Sequence, residues 1–278
     1  MKHNLHMRFP EGRAKALTFS YDDNVKQNAR LVEILDRHGM KGTFNLNSGV
    51  FKNEIKPGSN TMPVDEITAL FADGRHEVAV HGLTHPFLEA LPPAICTHEV
   101  LQDRLNLEQR FGRIVRGMAY PMGTYSDEAV DCLKACGILY ARTTEYTEKF
   151  NIPTDWLRLP ATCHHNNPRL MELAECFAAP APKHDPRPKL FYLWGHTYEF
   201  DNNDNWNVIE EFTDFMAGRE QEIWYATNGE IFEYMEDYKR LIFAADGAMV
   251  KNPTARTLWF YLNGEVYSVA PGGILLLK

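Results

Sequence analysis

Short runs of β-type residues alternate with longer segments of helical period along most of this chain, and that alternation restricts the fold more than any other feature. The expected strands are Lys15–Tyr21, Gly42–Asn47, Glu77–His81, Gly117–Tyr120, Gly137–Arg142, Trp156–Pro160, Leu190–Trp194 and Ile223–Thr227. Between them the spacing predicts helices over Val25–His38, Val64–Phe71, Pro93–Phe111, Asp127–Ala135, Val208–Met216 and Glu230–Phe243. Strand then helix, repeated seven or so times, builds a parallel sheet covered by helices, and closing that sheet gives an α/β fold of the (β/α) barrel kind. With 278 residues, 44% of them hydrophobic, the chain can bury the core of one such barrel, expected over residues 1–245.

The tail leaves this rhythm. Thr257–Leu262 and Glu265–Val269 flank Asn263-Gly264, the dipeptide that most readily supplies the two positive-φ positions of a type I′ hairpin turn. With Ile274–Leu277 after Pro271-Gly272-Gly273, residues 246–278 are expected to form a small β extension packed on the barrel or at an interface with another chain. The proline-rich stretch Ala178–Pro188 suits neither helix nor central strand and is expected as a surface loop flanking the site as a rim.

A formal net charge of −8, a pI near 5.8 and the absence of a Lys/Arg-rich run argue against binding a phosphate backbone, so no nucleic-acid partner is expected. No 18-residue apolar window occurs and the first residues carry no apolar signal core, which leads to the expectation of a soluble, cytoplasmic protein without a membrane partner. Five cysteines without zinc-ribbon spacing, two of them (Cys132 and Cys136) at helical i,i+4, read as structural thiols; Cys163 adjoins two histidines.

The chemistry concentrates at expected strand ends. Asp22 and Asp23 close the first strand, His81 the third, Tyr120 the fourth and Arg142 the fifth; His164 and His165 follow the sixth, and His196 the seventh. The carboxyl ends of barrel strands converge on one face, so these residues should share a pocket. One carboxylate and two imidazoles can hold a divalent cation and leave a position open, while the second carboxylate stays free as a base. His81 and His85, with Gly82 and Pro86 just after them, fit a tight turn leaving a strand. Gly82 stands where a helical His-Glu-x-x-His motif carries its base, so the base must come from elsewhere. The expected division is that Asp23 coordinates and Asp22 takes the proton of the attacking water. An Asp-Asp pair by itself is more often a turn or a cap, and Asp23 or Asn24 could cap the helix from Val25. His196 reads as an acid across the pocket or as a buried hydrogen-bonded histidine; His164 and His165 could line the pocket, hold substrate or orient a loop. Tyr120 reads as pocket wall, and Trp194, Tyr198, Phe200 and Trp206 as core or rim.

Thr18-Phe19-Ser20-Tyr21-Asp22-Asp23, His81-Gly82-Leu83-Thr84-His85-Pro86, Ala119-Tyr120-Pro121-Met122-Gly123 and Leu193-Trp194-Gly195-His196 resemble, in order, motifs of the polysaccharide deacetylase (NodB-homology) family. The resemblance spans roughly residues 15 to 230. It implies a distorted (β/α) barrel and metal-dependent hydrolysis of N-acetyl or O-acetyl groups on sugars, with Asp22 as general base, Asp23, His81 and His85 as metal ligands and His196 as general acid. Tyr120 stands where the family often has an arginine, and Met122 where it has an aromatic residue. Arg142 is expected to supply that guanidinium from the next strand end, paired with Asp22 in a bidentate manner. Pro121 has no N–H, which leaves Met122 as the candidate oxyanion donor of its turn. Asp155-Trp156 is similar to a further family motif but precedes the sixth strand, and Ser20-Tyr21 is inserted in the first motif. The expected protein is a metal-dependent deacetylase of an acylated sugar or related small molecule, using one divalent ion, zinc first and cobalt, nickel, manganese or iron as alternatives. A hydrolase of a non-sugar C–N bond and a non-catalytic carbohydrate-binding relative are the other readings, and a homo-oligomer is left open.

Overall fold

The computed structural model describes residues 4–180 and 185–277. The strands are β1 (Leu5–Arg8), β2 (Lys15–Asp22), β3 (Gly42–Leu46), β4 (Glu77–Val80), β5 (Gly117–Ala119), β6 (Tyr140–Tyr146), β7 (Leu159–Ala161), β8 (Cys163–His164), β9 (Lys189–His196), β10 (Ile223–Tyr225), β11 (Ile242–Phe243), β12 (Met249–Lys251), β13 (Leu258–Leu262), β14 (Glu265–Val269) and β15 (Ile274–Leu276). The helices are α1 (Asn28–Arg37), α2 (Val64–Leu70), α3 (Pro93–Phe111), α4 (Asp127–Ala135), α5 (Leu170–Ala178), α6 (Tyr198–Asn202), α7 (Trp206–Met216) and α8 (Asn228–Lys239).

Parallel pairing runs β2-β3-β4-β5-β6-β7 on one side, while β9 lies along the whole of β2 on the other. The sheet closes through a change of neighbour within one stretch of chain. β7 pairs with β6, Thr162 donates its N–H to Tyr192 O (2.8 Å), and β8 continues beside β9. The result is the expected barrel, a ring of seven strands if β7 and β8 count as one, distorted where the β6–β7 register shifts between Arg142 and Tyr146. β10 pairs with the first half of β2, the stretch that β3 does not reach.

All eight residues of β2 are buried because helices cover its outside and the barrel its inside. Leu17, Phe19 and Tyr21 join the main apolar core with α1, α3 and α7. The alternate set points inward and is polar: Thr18 Oγ1 donates to Asn228 Oδ1 (2.7 Å), Asn228 Nδ2 to Tyr192 Oη (2.6 Å), and Thr43 Oγ1 to Glu77 Oε2 (2.8 Å). Asn228 opens α8, whose N-terminus closes the barrel at the strand starts, opposite the strand ends that carry the reactive residues.

Several expectations are corrected. α1 begins at Asn28 rather than Val25, and neither Asp23 nor Asn24 caps it: Asn24 is bonded through its side chain to Asn47, and Val25 bridges to Thr61. Helix α5 was not anticipated, although Leu170, Leu173, Ala174 and Phe177 have helical spacing and are buried. The hairpin forms with φ of 51° at Asn263 and 110° at Gly264, but its third strand is β1 and not Ile274–Leu277. The Gly273 N–H closes a turn on Ala270 O, and Gly273 O accepts from Asn252 N–H, so β15 turns away onto β12. Tyr234 of α8 ties this extension to the barrel, donating to Arg8 O (2.7 Å) and accepting from Trp259 N–H (3.0 Å). The loop read at Ala178–Pro188 lies partly outside the described residues, at 181–184. Lys15, at the start of β2, donates to Ala178 O and Ala179 O, so the described start of this stretch lies at the mouth opposite the site. Four cysteines are buried and free, while Cys176 is exposed on α5. No described helix is long and apolar enough to cross a membrane.

Gly117 is required where β5 meets β6, because a Cβ there would lie 1.9 Å from the Tyr140 hydroxyl, which donates to half-buried Glu77. Gly117→Ala should therefore cost ~1–3 kcal/mol through overpacking. The expected readout is a lower urea midpoint with an unchanged slope.

Candidate active site

Successive strand residues face opposite ways, so adjacent aspartates can reach one pocket only if the strand ends between them. β2 stops at Asp22, and Asp23 takes φ 75°, left-handed for a residue with a Cβ, which turns its carboxylate back toward the barrel mouth. Asn28 Nδ2 donates to Asp23 O (2.8 Å) and holds the turn. Asp22 is buried; Asn45 Nδ2 donates to its Oδ1 (2.8 Å), and its Oδ2 receives an N–H from Arg142 Nη2. His81 Nε2 and His196 Nε2 each lie 3.8 Å from that Oδ2. Burial opposes ionisation of Asp22, but the Arg142 guanidinium and the two imidazoles override it and hold the carboxyl at about 2.

The loop from His81 to Pro86 is tied down by two acidic residues of α3. Asp103 Oδ2 accepts from His81 N–H (3.0 Å) and its Oδ1 from Ser48 N–H (2.7 Å); Glu99 accepts from the Thr84 N–H and hydroxyl. Burial pushes Asp103 up to about 7. Sequence reading passed over both, yet an acidic pair on the buried face shared with Cys96, Val100 and Leu107 was a signal. Gly82 has φ 73° and a Cβ there would meet Pro121 Cγ at 3.0 Å; His85 itself has φ 61°. The turn brings the two rings to 4.8 Å, and Asp23 Oδ1 lies 3.9 Å from Nε2 of each.

These three donors fit a divalent cation. His81 Nδ1 is hydrogen-bonded to Ala119 O (2.8 Å), which puts its proton there, and its buried Nε2 has no hydrogen-bond partner among the described residues. Asp23, His81 and His85 donor atoms all lie within 4.8 Å of one another. Two imidazoles and one carboxylate are donors that suit a divalent transition metal.

Arg142 is fully buried, its Cζ 4.4 Å from the centre of the Trp194 ring. Its contact with Asp22 is through one nitrogen and not bidentate as expected, since Nη1 donates instead to Thr143 O (3.3 Å). Tyr120 spends its hydroxyl on Leu157 O (2.8 Å), which leaves its ring as wall. In the following turn the Gly123 N–H goes to Tyr120 O, and Met122 stands at φ 59° with its side chain half exposed. Asp155 is bonded to Leu157 N–H and Arg158, away from the pocket.

His196 is held by a residue the sequence reading missed. Its Nδ1 lies 3.1 Å from Glu199 Oε1, in the first turn of α6, which leaves Nε2 toward Asp22. His164 Nε2 and His165 Nε2 lie 3.1 and 3.0 Å from Glu199 Oε2, so neither ring lines the cavity directly. Burial alone would lower His196; Glu199 and then Asp22 outweigh it and raise its proton affinity, whereas burial drives His165 down to about 4. The cavity, about 380 Å³, is walled by Tyr120, Met122, Thr144, Trp194 and Tyr198 around Asp22, Asp23, His81, His85 and His196. A cavity of about 690 Å³ beside Thr147 and Arg158 is larger but contains no such grouping.

Paired aspartates, a His-x-x-x-His turn and a facing histidine share one barrel mouth. Residues 10–141 match the polysaccharide deacetylase family. The match includes Asp22, Asp23, His81, His85 and Tyr120; Arg142, His196 and Glu199 lie beyond it. No curated protein matches the chain significantly by sequence. Among solved structures, the fold is similar to that of BA3943 from Bacillus anthracis, described as a CE4 family pseudoenzyme, at 15% identity, covering 82% of this chain and 68% of that one, with a TM-score of 0.50. It is also similar to the Xyl-CE4 domain of a multidomain xylanase from the hindgut metagenome of Trinervitermes trinervoides: 13% identity, 80% and 92% of the two chains, TM-score 0.51. Streptococcus pyogenes deacetylase PplD, in complex with acetate, is 20% identical over 46% of this chain with a TM-score of 0.41, and the chain spans about half (55%) of its length.

Two outcomes follow from the electrostatics. Arg142→Met leaves a buried unpaired carboxylate and should destabilise the protein by ~3–5 kcal/mol at neutral pH. In the wild type the Asp22 charge stabilises the fold above its ordinary pKa, and this is lost as pH falls toward about 2. Without Arg142, burial raises the Asp22 pKa, so the difference should be largest at neutral pH and shrink steadily as pH falls through about 4 toward 2 in denaturation series. Glu199→Gln removes the charge that raises His196, so the alkaline limb of kcat/KM for an aryl acetate should move to lower pH. An unmoved limb would exclude His196 as the titrating acid.

Proposed function

We propose that this protein is a metal-dependent hydrolase that removes an acetyl group from an N- or O-acetylated sugar or a related small molecule. The observation that carries the reading is Asp22, buried and kept ionised by Arg142, in the same cavity as the Asp23, His81 and His85 donor set and across from His196. A relative described as a pseudoenzyme shares the fold, so the reading rests on these side chains and not on the barrel.

Asp23, His81 and His85 would hold the cation, which when bound polarises the acyl oxygen and makes water more acidic. Asp22 Oδ2 accepts the proton of the attacking water; Asn45 fixes the other carboxylate oxygen and Arg142 keeps the group aimed and charged. The Met122 N–H supports charge developing on the acyl oxygen, since Pro121 has no N–H and that of Gly123 is engaged with Tyr120 O. His196, held at Nδ1 by Glu199, delivers a proton from Nε2 to the departing oxygen or nitrogen. The aromatic walls Tyr120, Trp194 and Tyr198 and a volume of about 380 Å³ suit one acetylated ring at the base of the cavity.

Purified Asp23→Ala and His81→Ala should lose the ion by elemental analysis. Asp22→Asn and His196→Ala should keep it and lose ~10²–10⁴ in kcat for acetate release from acetylated sugars, the usual contribution of a general acid or base. Full metal occupancy in the first pair, or no acetate from any acetylated sugar or ester with the metal bound, overturns the reading.

A further inference from the structure

Three imidazoles surround one carboxylate beside the cavity. His164 Nε2 lies 3.1 Å and His165 Nε2 3.0 Å from Glu199 Oε2, and His196 Nδ1 lies 3.1 Å from Glu199 Oε1. Such a grouping has the composition of a cation site, and the donor atoms of His164, His196 and Glu199 are close enough for one. The backbone argues for the other use. Asn166 donates its N–H to His164 Nδ1 (3.1 Å), so Nδ1 must present a lone pair. A neutral His164 then carries its proton on Nε2, which stands 3.1 Å from Glu199 Oε2. A histidine that ligates a metal through Nε2 needs the opposite tautomer, with Nδ1–H donating outward.

We propose that His164 is a positioning residue: its Nε2–H pins Glu199 Oε2 so that the other oxygen, Oε1, stays in place to receive His196 Nδ1–H. Without that contact Glu199, on the short helix α6 and about a quarter exposed, keeps on Oε2, besides His165, only the long Asn166 Nδ2 bond (3.4 Å) and can rotate toward solvent, and His196 loses the partner that fixes its tautomer and keeps Nε2 toward Asp22. The sheet itself sets this arrangement. β8 lies beside β9 with His164 opposite Trp194, and the His165 N–H donates to Trp194 O (2.9 Å), which places both histidines next to His196, two residues further along β9. The His164 ring stands edge-on to Trp194 at 4.6 Å, and His165 is stacked between Tyr21 (5.7 Å) and Phe200 (4.1 Å), so His165 is a fixed floor and His164, about a fifth exposed, is the adjustable contact. Gly195 makes room for that floor, since a Cβ there would lie 2.0 Å from His165 Nδ1.

The inference rests on His196 being the acid, and its test separates the two claims. His164→Ala and His164→Gln are prepared with the metal bound; glutamine returns an N–H donor near the place of Nε2 but no second ring nitrogen. In His164→Ala, kcat for acetate release should fall ~10-fold with KM unchanged, as when an outer partner of a working group is lost, and His164→Gln should recover most of it. Without substrate, the ¹⁵N-coupled Nδ1–H signal of His196 should broaden or vanish in His164→Ala and return in His164→Gln. If that signal follows the variants while kcat does not, the positioning role stands and it is the assignment of His196 as the acid that falls. If the signal is unaffected by His164→Ala, the positioning role is wrong. Zinc bound stoichiometrically by Asp23→Ala and lost in the Asp23→Ala/His164→Ala variant would also overturn it, in favour of a cation site.

Discussion

The ion pair between Asp22 and Arg142 is the constraint on which the strand-end face depends. A carboxylate this deep is tolerated only with its charge matched, and Asp22 has a guanidinium on one oxygen and an amide on the other. That fixes β6 against β2 across the barrel mouth, with the Trp194 ring of β9 against the guanidinium. Three strands from distant parts of the chain are thereby held in the one relative placement that lets Asp22 face both His81 and His196. The polar lumen continues the same logic downward through Ser20, Asn45, Tyr192, Thr43, Glu77 and Asn228, where inward groups bond one another in place of an apolar filling.

Most of the barrel and much of the cavity could be read from residues alone, because strand-end chemistry follows from period. The strands around Leu17, Phe44, Val78 and Leu193 are continuous apolar or alternating runs whose ends needed only a residue or two of correction. Asp22, Asp23, His81, His85, Arg142 and His196 then meet by topology. What was not legible depended on tertiary contacts without a local sign. β1 is four residues whose strand character exists only because β13 lies beside it. Glu199 carries no motif, and its role comes from three rings brought to it by the β8–β9 register.

Other misreadings have a shared cause, the use of side chains to fix backbone that departs from regular geometry. Asn24 was free to cap a helix by sequence, but it braces the turn after Asp23 by bonding Asn47. The bidentate contact expected of Arg142 gives way because Thr143 O takes its second nitrogen. Asp23, His85 and Met122 all occupy left-handed backbone, conformations that only the surrounding contacts can hold, and all three line the cavity.

The change of partner at Thr162 has a consequence for how this chain can vary. One stretch of chain serves both edges of the ring, so its phase is set twice, by β6 before Thr162 and by β9 after it. A single residue gained or lost between Ala161 and His164 would reverse inside and outside for everything downstream in that strand, turning the stacked ring of His165 outward and the Cys163 side chain toward Glu199. Adjacent histidines that both reach Glu199, one beside Trp194 and one stacked between Tyr21 and Phe200, thus act as a reading frame for the seam, in which only one phase yields a working carboxylate.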